Sequence, residues 1–161
     1  MKMIIRLMKN QDIEAVQSIA IESWHTTYEG LIPLDVQQRF LEMAYSEEML
    51  EKRLAKSPFY VAEGDEGIFG FANFSNVNEE GEVELAAIYL KPSEQGQGVG
   101  TKLLEQGLSK LNPSKVFVNV ESENEVGKRF YLAKGFLAVD EFTEDFDGHL
   151  LQTTRMVLDV S

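Results

Sequence analysis

A glycine-rich segment between a predicted strand and a predicted helix points most directly to chemistry. Range 90–101 reads LKPSEQGQGVGT. Successive glycines let the backbone turn tightly and approach a ligand closely. The first amides of the following helix have no partner within that helix, and the helix dipole favours negative charge at the same end. The segment therefore predicts a cradle for an anion, most naturally a phosphate or pyrophosphate.

The glycine spacing matches neither of two common nucleotide-binding motifs. The dinucleotide fingerprint is G-x-G-x-x-G, whereas Gly96, Gly98 and Gly100 alternate here. The P-loop ends in G-K-[ST], whereas Gly100 is followed by Thr101 and Lys102 in the opposite order. From the glycines alone, a tight strand-to-helix connection that binds nothing stays open as an alternative.

The composition excludes several other chemistries. The chain of 161 residues contains no cysteine, which excludes disulfides, thiolate zinc sites and a cysteine nucleophile. Its two histidines, His25 and His149, lie far apart and form no motif such as H-E-x-x-H, so we expect no metal. The net charge of −12 argues against nucleic-acid binding, which needs a basic surface, and suits a cationic partner.

The hydropathy pattern indicates no membrane association. No segment approaches the ~20 apolar residues that are needed to cross a bilayer. The first residues also lack an apolar stretch long enough for a signal peptide. We therefore expect a cytoplasmic protein.

The elements that must position the glycine segment follow from hydrophobic periodicity, caps and turns. The predicted order is βαα(α)βββαβαββ, an α/β arrangement in which helices cover one mixed sheet. Strands are predicted over 3–8, 59–63, 68–75, 82–90, 115–120, 136–142 and 150–158. Helices are predicted to begin near Asn10, Pro33, Ser46, Gly98 and Ser122, the last through a capping box with Glu125.

Two motifs together resemble a known family. Gln95-x-x-Gly98-x-Gly100, preceded by a strand and Pro92, resembles the Q/R-x-x-G-x-G/A pyrophosphate loop of the GNAT superfamily of acetyl-CoA-dependent N-acetyltransferases. Further on, Asn124 and the segment RFYLAKGF over 129–136 resemble its second motif. The resemblance implies a mixed, mostly antiparallel sheet of about seven strands with helices on both faces. It also implies one acetyltransferase domain over 1–161.

The resemblance implies acetyl-CoA as co-substrate and the residues that hold it. In the family, amides of the glycine loop bind the CoA pyrophosphate, and the preceding strand pairs with the pantetheine arm like an added strand. The Ile88 amide would lie near the acetyl carbonyl and stabilise a developing oxyanion. The cofactor-binding residues so implied are Ile88, Leu90, Gln95, Gly96, Gln97, Gly98, Val99, Gly100, Thr101, Asn124, Tyr131 and Lys134.

The implied reaction is direct attack of a primary amine on the thioester in a ternary complex. Such an amine, with a pKa near ~10.4, must lose a proton before it attacks. Tyr131 matches the position of the family's general acid, which protonates the leaving sulfur. Glu84, which shares a strand face with Glu82, matches the catalytic glutamate of histone-type members. A relay of the proton through water is the alternative to Glu84.

The acceptor region is predicted between the first helices. The segment WHTTYEGLIP over 24–33 is similar to one that recurs in bacterial GNAT proteins, including PaiA-like polyamine acetyltransferases. Trp24, Tyr28 and Glu29 would bind a cationic substrate by stacking and ion pairing, or the two aromatic residues would anchor the helix to the core. A homodimer is common in the family, and Phe142 and Phe146 are candidates for that contact.

Three functions stay open at this point. The first is an N-acetyltransferase that acts on a polyamine or another cationic small molecule. The second is a peptide or protein N-acetyltransferase, and the third is a non-catalytic regulatory protein that binds acetyl-CoA. The complete glycine loop and the presence of Tyr131 favour an enzyme.

Overall fold

The computed structural model describes residues 3–160, which form five helices and seven strands. The helices are α1 (Ile13–Tyr28), α2 (Leu34–Ala44), α3 (Glu47–Lys56), α4 (Val99–Leu111) and α5 (Glu125–Ala133). The strands are β1 (Ile4–Leu7), β2 (Phe59–Gly64), β3 (Gly67–Phe74), β4 (Glu82–Leu90), β5 (Lys115–Glu121), β6 (Leu137–Phe146) and β7 (His149–Asp159). This order of elements is the one that the sequence predicts.

All seven strands form one sheet in the order β1-β2-β3-β4-β5-β7-β6. Every neighbouring pair is antiparallel except β4 and β5, which are parallel. Two apolar clusters lie on opposite faces of the sheet, because side chains alternate along a strand. One cluster joins α1, α2 and α3 to the sheet, and the other joins α4 and α5 to it. The predicted mixed, mostly antiparallel architecture is confirmed.

The parallel pair separates partway along its length. Its register runs only from Glu82 opposite Lys115 to Glu84 opposite Phe117. Beyond that point β4 continues against β3, and β5 continues against β7. A bulge between β3 and β4, near Phe74, bends the strand at this place. The two strands therefore leave a wedge-shaped gap in the middle of the sheet.

The caps of two helices show where the sequence signals succeed and fail. The predicted Ser46 cap is confirmed, since its Oγ accepts a hydrogen bond from the Met49 amide of α3. The predicted Ser122 cap of α5 is wrong. Asn124 caps α5 through the Gly127 amide, while the Ser122 hydroxyl is hydrogen-bonded to Thr154 of β7. Ser122 lies beside the sheet, and its hydroxyl group is therefore bonded to β7 and not to the first turn of α5.

None of the helices within residues 3–160 combines the length and the apolar character that a membrane span requires.

Candidate active site

The gap between β4 and β5 opens into a cleft of about 690 Å³. Its walls are β4 over 85–90, β5 over 118–120, the glycine loop, one face of α5 and the C-terminal end of α1. The predicted site residues that line it are Tyr28, Ile88, Leu90, Gln95, Gly96, Gly98, Gly100, Thr101, Asn124, Tyr131 and Lys134. Two predicted loop residues do not line it, because Val99 points into the core and Gln97 is exposed to solvent.

The glycine loop presents unpaired backbone amides to this cleft. Gly96 and Gly98 have φ values of +84° and +81°, a conformation that residues with a Cβ atom rarely adopt. Gly98 is the N-cap of α4 and has no side chain to occupy the first amides of that helix. The amides at the start of α4 and the positive end of its dipole are therefore available to an anion.

The two sequence motifs meet at Gly100. A Cβ atom on this residue would lie 3.1 Å from Cε1 of the Phe130 ring in α5, closer than most real Cβ contacts. Glycine at this position lets the start of α4 approach α5. The glycine loop and α5 therefore pack closely against each other at Gly100 and Phe130, where both line the cleft.

The backbone of β4 also faces the gap. The Lys91 amide donates to the Phe69 carbonyl of β3, at 2.9 Å. Because backbone groups alternate in direction along a strand, those of Ile88 and Leu90 point away from β3 and toward the gap. The Leu90 carbonyl accepts a hydrogen bond from Ser23 Oγ of α1, at 2.8 Å. The Ile88 amide and carbonyl and the Leu90 amide are thus left for a ligand that pairs with β4.

Tyr131 is held rigidly, with its hydroxyl group unused. The residue is 8% exposed, and its ring packs edge-on against Phe130 and Phe136. Within residues 3–160 the hydroxyl has no hydrogen-bond partner. Burial, with a smaller effect of Tyr28, raises the pKa of the phenol well above its ordinary value. The group therefore keeps its proton at neutral pH and is suited to donate it.

A second group of aromatic residues lies across the cleft from Tyr131. Burial and the nearby charge of Glu121 raise the pKa of Tyr28 to about 12, although its hydrogen bond with Tyr89 opposes this shift. Trp24 Nε1 donates to the Tyr89 hydroxyl at 3.1 Å. Burial also raises the pKa of the Tyr89 phenol well above its usual range. These hydroxyl groups are neutral and hold each other in place.

Trp24 and Phe146 belong to the core of the acceptor side. The Trp24 ring stacks on Phe40 with centroids 4.4 Å apart, and on Phe146 at 5.8 Å. Trp24 is buried and does not line the cleft. Of its two interpretations, an anchor of the helix to the core and a binder of the substrate, its position fits the first. Phe146 packs on Trp24 and Phe40 within its own chain, and a dimer contact through Phe142 and Phe146 stays a prediction. Tyr28 is the aromatic residue of the predicted set that reaches the cleft.

Glu84 lies outside the residues that line the cleft. Its carboxylate forms an ion pair with Arg155 of β7, whose guanidinium also lies over the Phe117 ring at 4.5 Å. Glu84 occupies the last paired position of β4, before the strands separate. This neighbourhood neutralises the carboxylate and directs it away from the gap.

The sequence reading missed Glu121, the last residue of β5. It is 8% exposed, and its Oε2 accepts a hydrogen bond from the Glu123 amide at 2.8 Å. Burial raises the pKa of this carboxyl group, against the opposing effect of the backbone amides of Glu123 and Asn124. Val120, Glu123 and Asn124 beside it line the cleft, and its charge acts on Tyr28. A carboxylate that ends a strand with valine at alternate positions was the available signal.

The remaining predicted residues have distinct positions. Asn124 lines the cleft while its Oδ1 caps α5, so its amide nitrogen is the part left for a ligand. Lys134 also lines the cleft, with Nζ 5.8 Å from the centroid of the Phe130 ring. Glu29 is exposed and lines a neighbouring cavity. Within residues 3–160 the cleft thus has one lysine, beside the Phe130 ring, and the Glu29 carboxylate lies in the cavity next to it.

Comparison with known proteins agrees with this geometry. The family model of the acetyltransferase (GNAT) family matches residues 4–136. The uncharacterized N-acetyltransferase YuaI of Bacillus subtilis strain 168 is 34% identical over 126 residues, which cover 74% of this chain and 72% of that protein.

Two further comparisons concern Thermoplasma acidophilum. Its spermidine N(1)-acetyltransferase is 28% identical over 155 residues, covering 91% of this chain and 95% of that protein. The crystal structure of its PaiA N-acetyltransferase in complex with coenzyme A superposes with a TM-score of 0.82 at 27% identity. That superposition covers 99% of each chain.

Proposed function

This chain belongs to the acetyltransferase (GNAT) family, and we propose that it transfers the acetyl group of acetyl-CoA to a primary amine of a polyamine. One observation carries the proposal. A cradle of free backbone amides and a phenol without a hydrogen-bond partner face the same cleft, between strands that separate in the middle of the sheet. The cradle fits an anionic donor, and the phenol fits a proton transfer to its leaving group.

The residues present fit coenzyme A. The amides at the start of α4, beyond Gly98, would bind the pyrophosphate, and Lys134 would add a positive charge near the phosphates. The backbone groups of Ile88 and Leu90 would pair with the amides of the pantetheine arm, as an edge strand pairs with an added strand. Asn124 would donate from its free amide nitrogen. The CoA-bound PaiA structure supports this assignment.

The chemistry requires one proton to leave the acceptor before attack. The amine nitrogen then attacks the thioester carbonyl carbon, so that a C–N bond forms and the C–S bond breaks. The Ile88 amide would stabilise the charge that develops on the carbonyl oxygen. Tyr131 would donate its proton to the departing sulfur, and the second proton of the nitrogen would restore the phenol. The products are an N-acetylamine, the CoA thiol and the first proton.

Two carboxylates compete for the first proton. Glu84 was the expectation, but its carboxylate is ion-paired with Arg155. Neither Glu84 nor Glu121 itself lines the cleft, and the two differ in this ion pair and in burial. Glu121 is buried beside Tyr28 and has no cationic side chain hydrogen-bonded to it within residues 3–160. We assign the base to Glu121, directly or through one water molecule, because burial raises its pKa toward the range that a base at neutral pH needs.

A polyamine is the acceptor that the charge pattern favours. The chain carries a net charge of −12, Glu123 and Glu125 line the cleft at the start of α5, and Glu121 is buried next to them. Such a surface attracts cations and raises their local concentration. The relative from Thermoplasma acidophilum is named for spermidine, which supports the same class.

The test is the release of the CoA thiol from acetyl-CoA with a panel of spermidine, spermine, aminoglycosides, amino acids and short basic peptides. Saturable release with spermidine or spermine is the expected result. Saturation by basic peptides alone would move the acceptor class to peptides. The catalytic proposal would be wrong if no amine were acetylated while acetyl-CoA still raised the melting temperature.

A further inference from the structure

A second cavity, of about 700 Å³, lies beside the cleft on the α1 side. Its walls are the last turn of α1, the loop over 30–33, the start of α2 with Gln37, and His149 at the start of β7. Thr26 lines both this side cavity and the cleft. The two spaces therefore adjoin at this residue.

Gln37, which lines the side cavity, has a side-chain oxygen without a hydrogen-bond partner within residues 3–160. It is 2% exposed, and its Nε2 donates to the Ile32 carbonyl at 3.0 Å and the Tyr28 carbonyl at 3.3 Å. Its Oε1 is buried and has no hydrogen-bond partner within residues 3–160. A buried carbonyl oxygen without a donor is unfavourable, so a ligand that brings a donor to this wall is favoured.

The other polar side chains that line the side cavity are those of His25, Thr26, Glu29 and His149. His149 Nε2 lies 3.0 Å from the Leu31 carbonyl, which only accepts, so Nε2 carries a hydrogen. Glu29 adds an exposed carboxylate. The residues that line this cavity include no lysine or arginine. Apolar side chains over 31–34 also line this cavity.

An ammonium group is the ligand that this arrangement fits, since it offers three donors and no acceptor. An anion would face the Glu29 carboxylate and the unpaired Gln37 oxygen, and both are repulsive to it. An alkyl chain on the ammonium would lie against the apolar residues over 31–34.

We infer that the side cavity binds the second ammonium group of a diamine or polyamine while its first amine is in the cleft. This inference rests on the proposed function, because it takes the amine in the cleft as the acceptor. It makes the enzyme selective for acceptors with two amines joined by an alkyl chain, rather than for any primary amine.

The test compares spermidine with n-butylamine, which has one amine. Glu29→Gln removes a charge from an exposed residue, and Glu22→Gln removes the same charge from α1 outside both cavities. We expect Glu29→Gln to raise KM for spermidine roughly tenfold, the scale of a hydrogen bond to a charged group, and KM for n-butylamine far less. Glu22→Gln should reproduce the wild-type ratio of the two KM values.

Calorimetric titration of spermidine into the CoA-saturated protein separates this inference from the proposed function, because CoA carries no acetyl group to transfer. Weaker binding in Glu29→Gln than in Glu22→Gln supports the side cavity even if no turnover is seen. Equal spermidine affinities, or KM values that rise equally for both amines, would overturn the inference while leaving amine acetylation intact.

Discussion

The two walls of the cleft are built in different ways. The cofactor wall, formed by β4, the glycine loop and α5, offers mainly backbone groups whose directions are set by secondary structure. The acceptor wall offers side chains: the end of α1 and the end of β5 in the cleft, and the loop over 30–33 and the start of α2 in the adjoining side cavity. A backbone site needs glycine where φ is positive or where chains approach closely, and so leaves a motif. A side-chain site leaves a looser signal, here the segment over 24–33.

The difference also concerns what each wall recognises. Amides at a helix start bind any phosphate of suitable shape, so the cofactor wall suits a donor that many enzymes share. The acceptor wall combines Tyr28, Glu29 and Gln37 with Glu121, which comes from a distant part of the sequence. Substitutions in that wall should change the choice of amine, whereas substitutions in the cofactor wall should remove the donor altogether.

The largest effect is expected from a carboxylate placed in the glycine loop. Gly98→Glu brings a negative charge to the amides that bind phosphate, and we expect the Kd for acetyl-CoA to rise roughly 100-fold, ~3 kcal/mol. Gly148→Glu is the matched control, because Gly148 has φ +83° and open space around its Cβ position, as Gly98 has at +81°. Calorimetry measures both, and equal affinities in the two variants would refute the cradle.

Tyr131→Phe should lower kcat roughly 10²-fold and leave the affinity for acetyl-CoA unchanged, because it removes a proton donor and keeps the packed ring. Tyr60→Phe is the control, since Tyr60 is a buried tyrosine of β2 outside the cleft. Steady-state kinetics and titration of acetyl-CoA give the two numbers. Wild-type kcat in Tyr131→Phe would remove the phenol from the mechanism.

The proton acceptor is tested by two matched variants. Glu121→Gln should lower kcat/KM roughly tenfold or more and flatten the rise of kcat/KM with pH on the acidic side, because only the ionised carboxylate accepts a proton. Glu84→Gln should keep that rise, since Glu84 is bound to Arg155. The reverse pattern in the two pH profiles would return the base to Glu84.

Stability against pH gives a smaller, independent check on Glu121. Its pKa is raised in the folded protein above the value of 4.5 for an unperturbed glutamate. The stability that it contributes is therefore fully present below pH 4.5 and is lost as pH rises through the folded pKa. Glu121→Gln should remove this loss, so its free energy of unfolding should depend less on pH over that window. An unchanged pH dependence in chemical denaturation would show that the carboxyl group is not perturbed.

The smallest effect is expected where the two motifs touch. Gly100→Ala places a Cβ atom 3.1 Å from the Phe130 ring and should destabilise the fold by roughly 1 kcal/mol through overpacking. Phe130→Leu frees space, so the double variant should recover part of that loss relative to the sum of the single changes. Chemical denaturation measures the cycle, and strict additivity would mean that the two motifs do not pack on each other.

The sequence predicted the parts of the fold that depend on local signals. The order of strands and helices followed from periodicity, and the glycine loop followed from the need for positive φ at Gly96 and Gly98. The sequence predicts Ser122 as the N-cap of α5, whereas Asn124 caps the helix. Both residue types can cap, and the hydrogen bond between Ser122 and Thr154 decides between them. The local sequence pattern does not show which distant residue forms a hydrogen bond with the Ser122 hydroxyl group.

The acceptor wall was predictable only in part for the same reason. Tyr28 and Trp24 were both candidates, and the tertiary contacts of Trp24 with Phe40 placed it in the core. Glu84 and Glu121 are both carboxylates at strand positions, and they differ in whether Arg155 lies opposite. Arg155 neutralises Glu84 because β7 pairs with β5 and so comes close to β4. The two residues are distant in sequence, and the local pattern therefore does not indicate their ion pair.

The measurement that tests the account most directly is the pattern of initial rates with acetyl-CoA and spermidine varied together. Both walls belong to one cleft, and the described mechanism has the amine attack the thioester directly. Double-reciprocal plots should therefore give lines that intersect, as a ternary complex requires. Parallel lines would mean that the acetyl group first passes to the protein, and would contradict direct transfer between the two walls.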